Sequence, residues 1–309
     1  MKRSLQIVVL GLMLAGAARG YELPFLNLGF TSFLDGIPPA GPGFYFQDYF
    51  MYYHADKFAG PNGDSIASPS PKVDIVANLF QGLYLSNQKV LFGGKWGVDV
   101  IVPVANFSLD QKATPLSANN IGLGDMLIGP FLQWDPILGK NGPIFVHRFE
   151  FQLLLPTGRY NRNEAINQGS NVLSIDPYWA ATVFLTPKWT TSWRLHYLWN
   201  DENTDPWVMY HAGKIQAGQA IHLNFATEYE VIQKRLRLGI NGYYLTQITD
   251  SKLDGVALAD SREEVIGIGP GLLYSFSQND HIFLNAYFEV GAKNRPEGQR
   301  IILRWTHHF

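Results

Sequence analysis

Residues 189–199, WTTSWRLHYLW, set Trp189, Thr191, Trp193, Leu195, Tyr197 and Trp199 on one face of an extended chain and Ser192, Arg194 and His196 on the other. Successive side chains of a β-strand point to opposite faces, so alternation at period two predicts a strand; no period of 3.6 fits the run. The pattern returns along the chain. FVHRFEFQLLL places Phe145, His147, Phe149, Phe151, Leu153 and Leu155 against Arg148, Glu150 and Gln152. GQAIHLNFATEYE places Ile221, Leu223, Phe225 and Tyr229 against His222, Asn224 and Glu228, and GGKWGVDVIVPV places Trp96, Val98, Val100, Val102 and Val104 against Lys95 and Asp99. Twelve segments carry it, near 43–55, 72–85, 91–105, 121–134, 143–155, 172–185, 189–200, 214–229, 235–249, 264–276, 281–292 and 299–309. Most are about 11 to 15 residues, where strands of globular proteins average five or six.

The connections alternate between long polar stretches, such as DKFAGPNGDSIASPSP and TGRYNRNEAINQGS, and short ones, such as NQK, TPK and SQND. Only KNRPEG is short where a long one is due. Long loops at one end and tight turns at the other predict an all-β fold: a twelve-stranded antiparallel transmembrane β-barrel over 43–309, with short periplasmic turns and longer extracellular loops. Lipid offers the backbone no hydrogen-bond partner, so such a sheet must close, strand 12 against strand 1. A soluble periplasmic sandwich would have shorter strands and would pack its apolar faces together.

The first twenty residues, MKRSLQIVVLGLMLAGAARG, have a basic start, a short apolar stretch and small residues, which is the layout of a cleaved signal peptide. The apolar stretch is shorter than the roughly 20 residues a membrane-spanning helix needs. Residues 1–20 contain Lys2, Arg3 and Arg19 and no acid; without them 21 basic residues face 26 acidic ones, a net charge of about −5. That balance argues against a nucleic-acid partner. The chain has no cysteine, so disulfides and thiol chemistry are excluded.

Several stretches resemble an outer-membrane transporter family labelled as a phenol meta-pathway degradation protein: LPFLNLGFTSFLDGIPPAGPGFYFQDYFMYYHADKF, GDMLIGPFLQWDPILG, HRFEFQLLLPTGRYN, PYWAATVFLTPKWTTSWRLHYLWN, GINGYYLTQITD and NRPEGQRIILRWTHHF. The resemblance runs through nearly all of the chain after residue 20. It implies an outer-membrane barrel that admits small aromatic or other hydrophobic molecules, and it brings no catalytic residues and no cofactor. The expected partners are the lipid bilayer with its lipopolysaccharide, the outer-membrane assembly machinery and the solute. Outer-membrane barrels present an aromatic-ended last strand to that machinery, which assigns an assembly role to Trp305 and Phe309. His307 departs from the general pattern, because an apolar residue is more usual on the lipid face.

An enzyme of the outer membrane, such as a lipid hydrolase, is the competing class. Such an enzyme needs a nucleophile, a base within reach and a group that orients the base. No G-x-S-x-G segment is present, His147, His196, His211 and His222 lie on different segments, and no HExxH spacing suggests a metal. His307 and His308 are adjacent on a strand and point to opposite faces. GIGPG at 267–271 sits inside a strand with no helix after it. A purely structural or non-selective barrel is a further alternative.

If the apolar faces meet lipid, the opposite faces line the interior. This predicts Asp74, Lys95, Asp99, Asp125, Arg148, Glu150, Asp176, Arg194, His196, His222, Glu228, Arg237, Glu289 and Arg304 in the lumen. Tyr178, Phe184, Tyr243, Phe283 and Tyr287 share those faces as flat apolar surfaces along a solute path. Both signs of charge allow a lattice of salt bridges as well as a constriction that orients a solute. Eight-stranded barrels are filled and sixteen-stranded ones hold a water channel, so twelve strands predict a narrow path. Strand 1 is ambiguous: FYFQDYFMYY is aromatic on both faces, and Gln47 and Asp48 disagree about which is inward. Residues 21–42 do not alternate but carry Leu23, Phe25, Leu26, Leu28, Phe30 and Phe33, too many large apolar residues for a disordered tail. They form either a plug in the periplasmic mouth, the favoured reading, or a segment on the membrane surface.

Overall fold

A computed structural model describes residues 23–38, 40–68, 70–110, 118 and 120–309. The proposed signal peptide lies outside the described residues.

The alternating segments form twelve strands: β1 (Gly43–Phe58), β2 (Val73–Lys89), β3 (Lys95–Leu109), β4 (Ile121–Leu123 and Met126–Gln133), β5 (Gly142–Glu150 and Leu153–Leu155), β6 (Ser174–Ile175 and Tyr178–Phe184), β7 (Trp189–Asn200), β8 (Ala220–Ile232), β9 (Leu236–Gln247), β10 (Glu264–Ser275), β11 (Asp280–Lys293) and β12 (Pro296–His308). Each pairs antiparallel with its neighbours in sequence, and β12 pairs with β1 over thirteen positions from Tyr45↔His308 to Phe58↔Pro296. The sheet is therefore a closed twelve-stranded barrel. No described helix is long and apolar enough to cross a membrane, which says nothing of strands.

The five connections 90–94, 134–141, 185–188, 233–235 and 276–279 are short and share one end with Gly43 and Phe309; the Phe309 amide donates to the Phe44 carbonyl at 3.0 Å. At the other end, 59–72, 110–120, 156–173, 201–219 and 248–263 are long. The short hairpin there turns on Asn294 and Arg295. Asn294 has φ +53°, a left-handed conformation asparagine tolerates, and its side-chain amide donates to the carbonyls of Asp260 and Arg262 at 2.8 and 2.9 Å. The turn is thereby tied to the neighbouring long loop.

The outer face is apolar. Phe50, Phe80, Phe149, Leu195, Ile240, Ile268, Leu284 and Leu303 are all exposed there. Phe44, Trp96, Trp189, Tyr229, Phe276 and Phe309 ring the short-turn end, as expected of an aromatic girdle at a membrane interface. His307 lies in this girdle and bonds Asp280 Oδ1 at 2.7 Å, which keeps its polar edge engaged.

The interior is not hollow. Residues 23–38 lie inside the sheet, and Leu26, Leu28, Phe30 and Phe33 are buried. Leu26, Leu28 and Phe30 pack with Tyr49, Met51, Ile75, Ala77 and Leu79 of β1 and β2. The inward faces of β1 and β2 are consequently rich in apolar side chains, because they meet this segment and not water. In β1, Gln47 points in and bonds Gln81 at 2.9 Å, while Asp48 points out and accepts from Asn78 at 3.1 Å. A closed barrel of this kind resists SDS until heated. The unheated protein is expected to migrate apart from the boiled form on SDS gels, and a single band at both temperatures would contradict closure.

Candidate functional site

The lumen is organised in layers along the inner segment. At the short-turn end, the backbone of the segment touches the wall directly. Gly36 donates to Thr182 Oγ1 at 3.0 Å, and its carbonyl accepts from Gln133 Nε2 at 3.0 Å. A Cβ added at Gly36 would stand 2.6–2.7 Å from backbone atoms of Thr182, Ala181 and Val146, which cannot move aside. Asp35 beside it takes two hydrogen bonds from Arg194, Nε to Oδ2 at 2.9 Å and NH2 to Oδ1 at 2.6 Å. Both side chains are buried, and removing one partner of such a pair costs about 3–5 kcal/mol.

Further along, Gly29 donates to Asn224 Oδ1 at 2.7 Å and accepts at its carbonyl from the Tyr287 hydroxyl at 2.7 Å. Its φ of +83° and a ring carbon of Tyr287 at 2.6 Å from an ideal Cβ require glycine here. Arg300 reaches the Leu28 carbonyl. Arg300 also lies between the rings of Tyr53 and Tyr243, at 5.0 and 5.1 Å from their centroids. Both tyrosines donate to Glu289, each at 2.7 Å, the Gly298 amide donates to it at 2.9 Å, and Arg300 pairs with it at 3.7 Å.

Other carboxylates serve the wall. Asp176 accepts from His196 Nδ1 at 3.0 Å and His222 Nε2 at 3.1 Å, and the two imidazoles stack with centroids 3.9 Å apart. Asp176, His196 and His222 are the type of cluster that could ligate a metal. The distal nitrogens decide the matter. A metal-bound imidazole carries its proton on the other nitrogen and donates it to an outer partner, but His196 Nε2 and His222 Nδ1 are buried without one. With the protons directed at Asp176 instead, those nitrogens are bare acceptors, the less costly orphans. The residues fit a hydrogen-bonded triad better than a metal centre.

Glu150 accepts from the Tyr178 hydroxyl, and Asp99 from Gln81 Nε2 at 2.5 Å. Glu228 accepts from Thr190, and Arg237 pairs with Glu230 at 3.2 Å. Asp125 accepts from Gly158 N, Ser170 N and Ser170 Oγ at 2.9, 2.7 and 2.6 Å, so it clamps a long loop onto the rim. Lys95 stands at the short-turn end and binds Asp135 at 2.6 Å. Lys89 and Lys95 together hold the Asp135 carboxyl in that turn below its usual range. Phe184 is half-buried near the same end, Phe283 lies under the Arg304 guanidinium at 3.6 Å, and Tyr243 packs on Tyr287.

Asp74 is a correction. It lies on the outer face, where it accepts from the Tyr52 hydroxyl at 2.7 Å and contacts His54 Nδ1 at 2.8 Å. In β2 the inner segment claims the Val73, Ile75, Ala77 and Leu79 face as apolar contact, so the rule that polar residues face inward fails there.

Two larger cavities remain among the described residues, and a small one of about 30 Å³ is lined by Phe30, Tyr49 and Leu127. One of about 130 Å³, among the long connections, has a mixed lining, with Phe25, Met51, Phe107, Ile166 and Trp207 beside Gln168, Glu263 and Arg300. The other, about 240 Å³, opens at the short-turn end beside Phe33, Arg148, Arg304 and Phe283. Tyr45, Tyr49, Tyr53, Gln81, Gln133, Arg300 and Asp35 belong to the lumen but were not among the expected residues. Fixing the face of β1 would have found the three tyrosines; Asp35 carries no strand signal at all.

The family model described as putative MetA-pathway of phenol degradation matches residues 55–305. The chain belongs to that family. Among solved structures it is similar to the COG4313 outer membrane channel from Pseudomonas putida F1, with a TM-score of 0.76 and 19% identity over 92% of this chain and 100% of that one. At that identity the likeness concerns the fold. A TodX deltaS2S3 mutant monoaromatic hydrocarbon channel matches more loosely, with a TM-score of 0.49 and 9% identity over 88% of this chain and 91% of that one. No curated protein matches the chain.

Gly36→Ala is expected to loosen the inner segment by roughly 1–3 kcal/mol, as overpacking does. Amide exchange across residues 23–38 should quicken while the unheated gel band persists. Unchanged exchange would show that the segment is not held at Gly36.

Proposed function

We propose that this protein is an outer-membrane channel for passive entry of small, mostly hydrophobic or aromatic molecules. The observation that carries the reading is the ring and methyl surface inside the barrel among the long connections, where Phe25, Met51, Phe107, Ile166 and Trp207 line a cavity beside Gln168, Glu263 and Arg300. Those five side chains would meet the body of an apolar solute, while the polar groups beside them would meet its polar end. The family's association with phenol degradation and the channel fold of the Pseudomonas putida protein support the same reading. Residues 1–20 act as a cleaved export signal, and the solute path runs past Tyr243, Tyr287, Tyr178 and Phe283, whose rings let an apolar body slide while polar groups exchange partners.

The test compares cells with and without the protein for uptake of phenolic, fatty-acid and sugar solutes. A deficit confined to the hydrophobic solutes is expected. An equal deficit for sugars would indicate a general pore, and no deficit would leave a structural barrel.

Residues 21–42 act as the plug of this channel. Their support is the set of contacts of Asp35, Gly36, Leu28 and Gly29 with the wall. Removing residues 21–39 should raise single-channel conductance in planar bilayers, and unchanged conductance would deny the segment a gating role.

Trp305 and Phe309 act in assembly, since both stand exposed on the outer face of the last strand. Deleting Phe309 should lower the amount of protein reaching the outer membrane. Undiminished levels would make the terminal aromatic incidental.

A further inference from the structure

We propose that the 240 Å³ cavity at the short-turn end binds an organic carboxylate, an anion carried on a small aromatic or short acyl body. The channel reading supplies the route by which such a molecule arrives; the binding argument itself stands on the cavity.

Five arginines reach this cavity: Arg148, Arg194, Arg235, Arg237 and Arg304. Two are neutralised, Arg194 by Asp35 and Arg237 by Glu230. Arg148 and Arg304 have no carboxylate within ion-pair distance among the described residues. They are nevertheless 8% and 6% exposed. Arg148 spends Nε on Gln133 Oε1 at 3.0 Å. Arg304 Nε is buried with no partner at all. Glu150 and Asp99 attract the Arg148 guanidinium from a distance, but neither makes an ion-pair contact with it. A buried guanidinium without an ion-pair contact is costly, and an incoming anion lowers that cost.

The geometry selects the kind of anion. Each free guanidinium lies over an aromatic ring, Arg148 over Phe131 at 4.2 Å and Arg304 over Phe283 at 3.6 Å. Ring stacking fixes the plane of the fork, which then meets a carboxylate in the bidentate manner arginine favours. Phe33, Leu34, Ile37, Leu83 and Leu273 supply apolar wall beside the cationic groups, with Gln47, Gln81 and Thr306 among them. An inorganic ion would leave that surface unused, whereas benzoate or a short fatty acid covers it. Lys234 and Arg235, in the tight turn between β8 and β9, stand exposed at the same cavity and draw anions toward it.

The test uses the full-length protein in detergent and measures binding of benzoate, benzyl alcohol, acetate and inorganic phosphate by calorimetry. Benzoate should bind at least about tenfold more tightly than the other three, the factor expected of a charge-assisted hydrogen bond made by the carboxylate. Arg304→Gln and Arg148→Gln should each reduce the preference for benzoate over benzyl alcohol by about the same factor, whereas Arg304→Lys should retain part of it. Benzoate binding no tighter than benzyl alcohol overturns the proposal, as does phosphate binding equal to benzoate. The ligand comparison on the unaltered protein decides the matter even if a variant fails to fold. Phenol flux into liposomes reports separately on the channel. Flux without benzoate preference ends this proposal and leaves the channel standing, while benzoate preference without flux supports the site and removes the channel.

Discussion

The structure depends on the pairing of β1 with β12. In hydrocarbon an unpaired amide has no substitute for water, so one open edge would cost several kcal/mol for each exposed group. Thirteen register positions close that edge. Closure forces the alternation of outward apolar and inward mixed residues, and it creates the enclosed volume in which buried arginines and carboxylates are tolerable. The lumenal network is a consequence of that seam.

Inside the seam, polar groups are distributed by what they must satisfy. Glu289, Asp176 and Asp35 each accept from two or more donors within the wall or the inner segment, so they hold structure. The two arginines over Phe131 and Phe283 differ, because no acid answers them. At the opposite end of the lumen the charges are paired, Arg295 with Glu263 and Arg300 with Glu289.

The strands were legible in the sequence because a barrel wall has two unlike surroundings and the side chains alternate between them. Trp189 to Asn200 and Arg300 to Phe309 read directly, as does each tight turn. The facing of β1 and β2 was not legible. There the interior is filled by another part of the chain, so Tyr49, Met51, Ile75 and Leu79 look inward with the same apolar character as lipid-facing residues. Asp74 was misplaced for that reason. Asp35 was invisible because pairing with Arg194 spans 159 positions and obeys no local period. The high aromatic and apolar content of residues 23–33 did show that the segment must be covered, though not by which strands.

The contacts of that segment also set an order of events in time. Gly29 meets Asn224 across 195 positions, and Leu28 meets Arg300 across 272. The first residues of the folded chain therefore cannot reach their final partners until the last strand has been made. Contacts so distant in sequence form late, since the intervening chain must be ordered first. Arg300 sits in β12, the strand that also completes the wall, so docking of the segment and sealing of the cylinder fall in the same step.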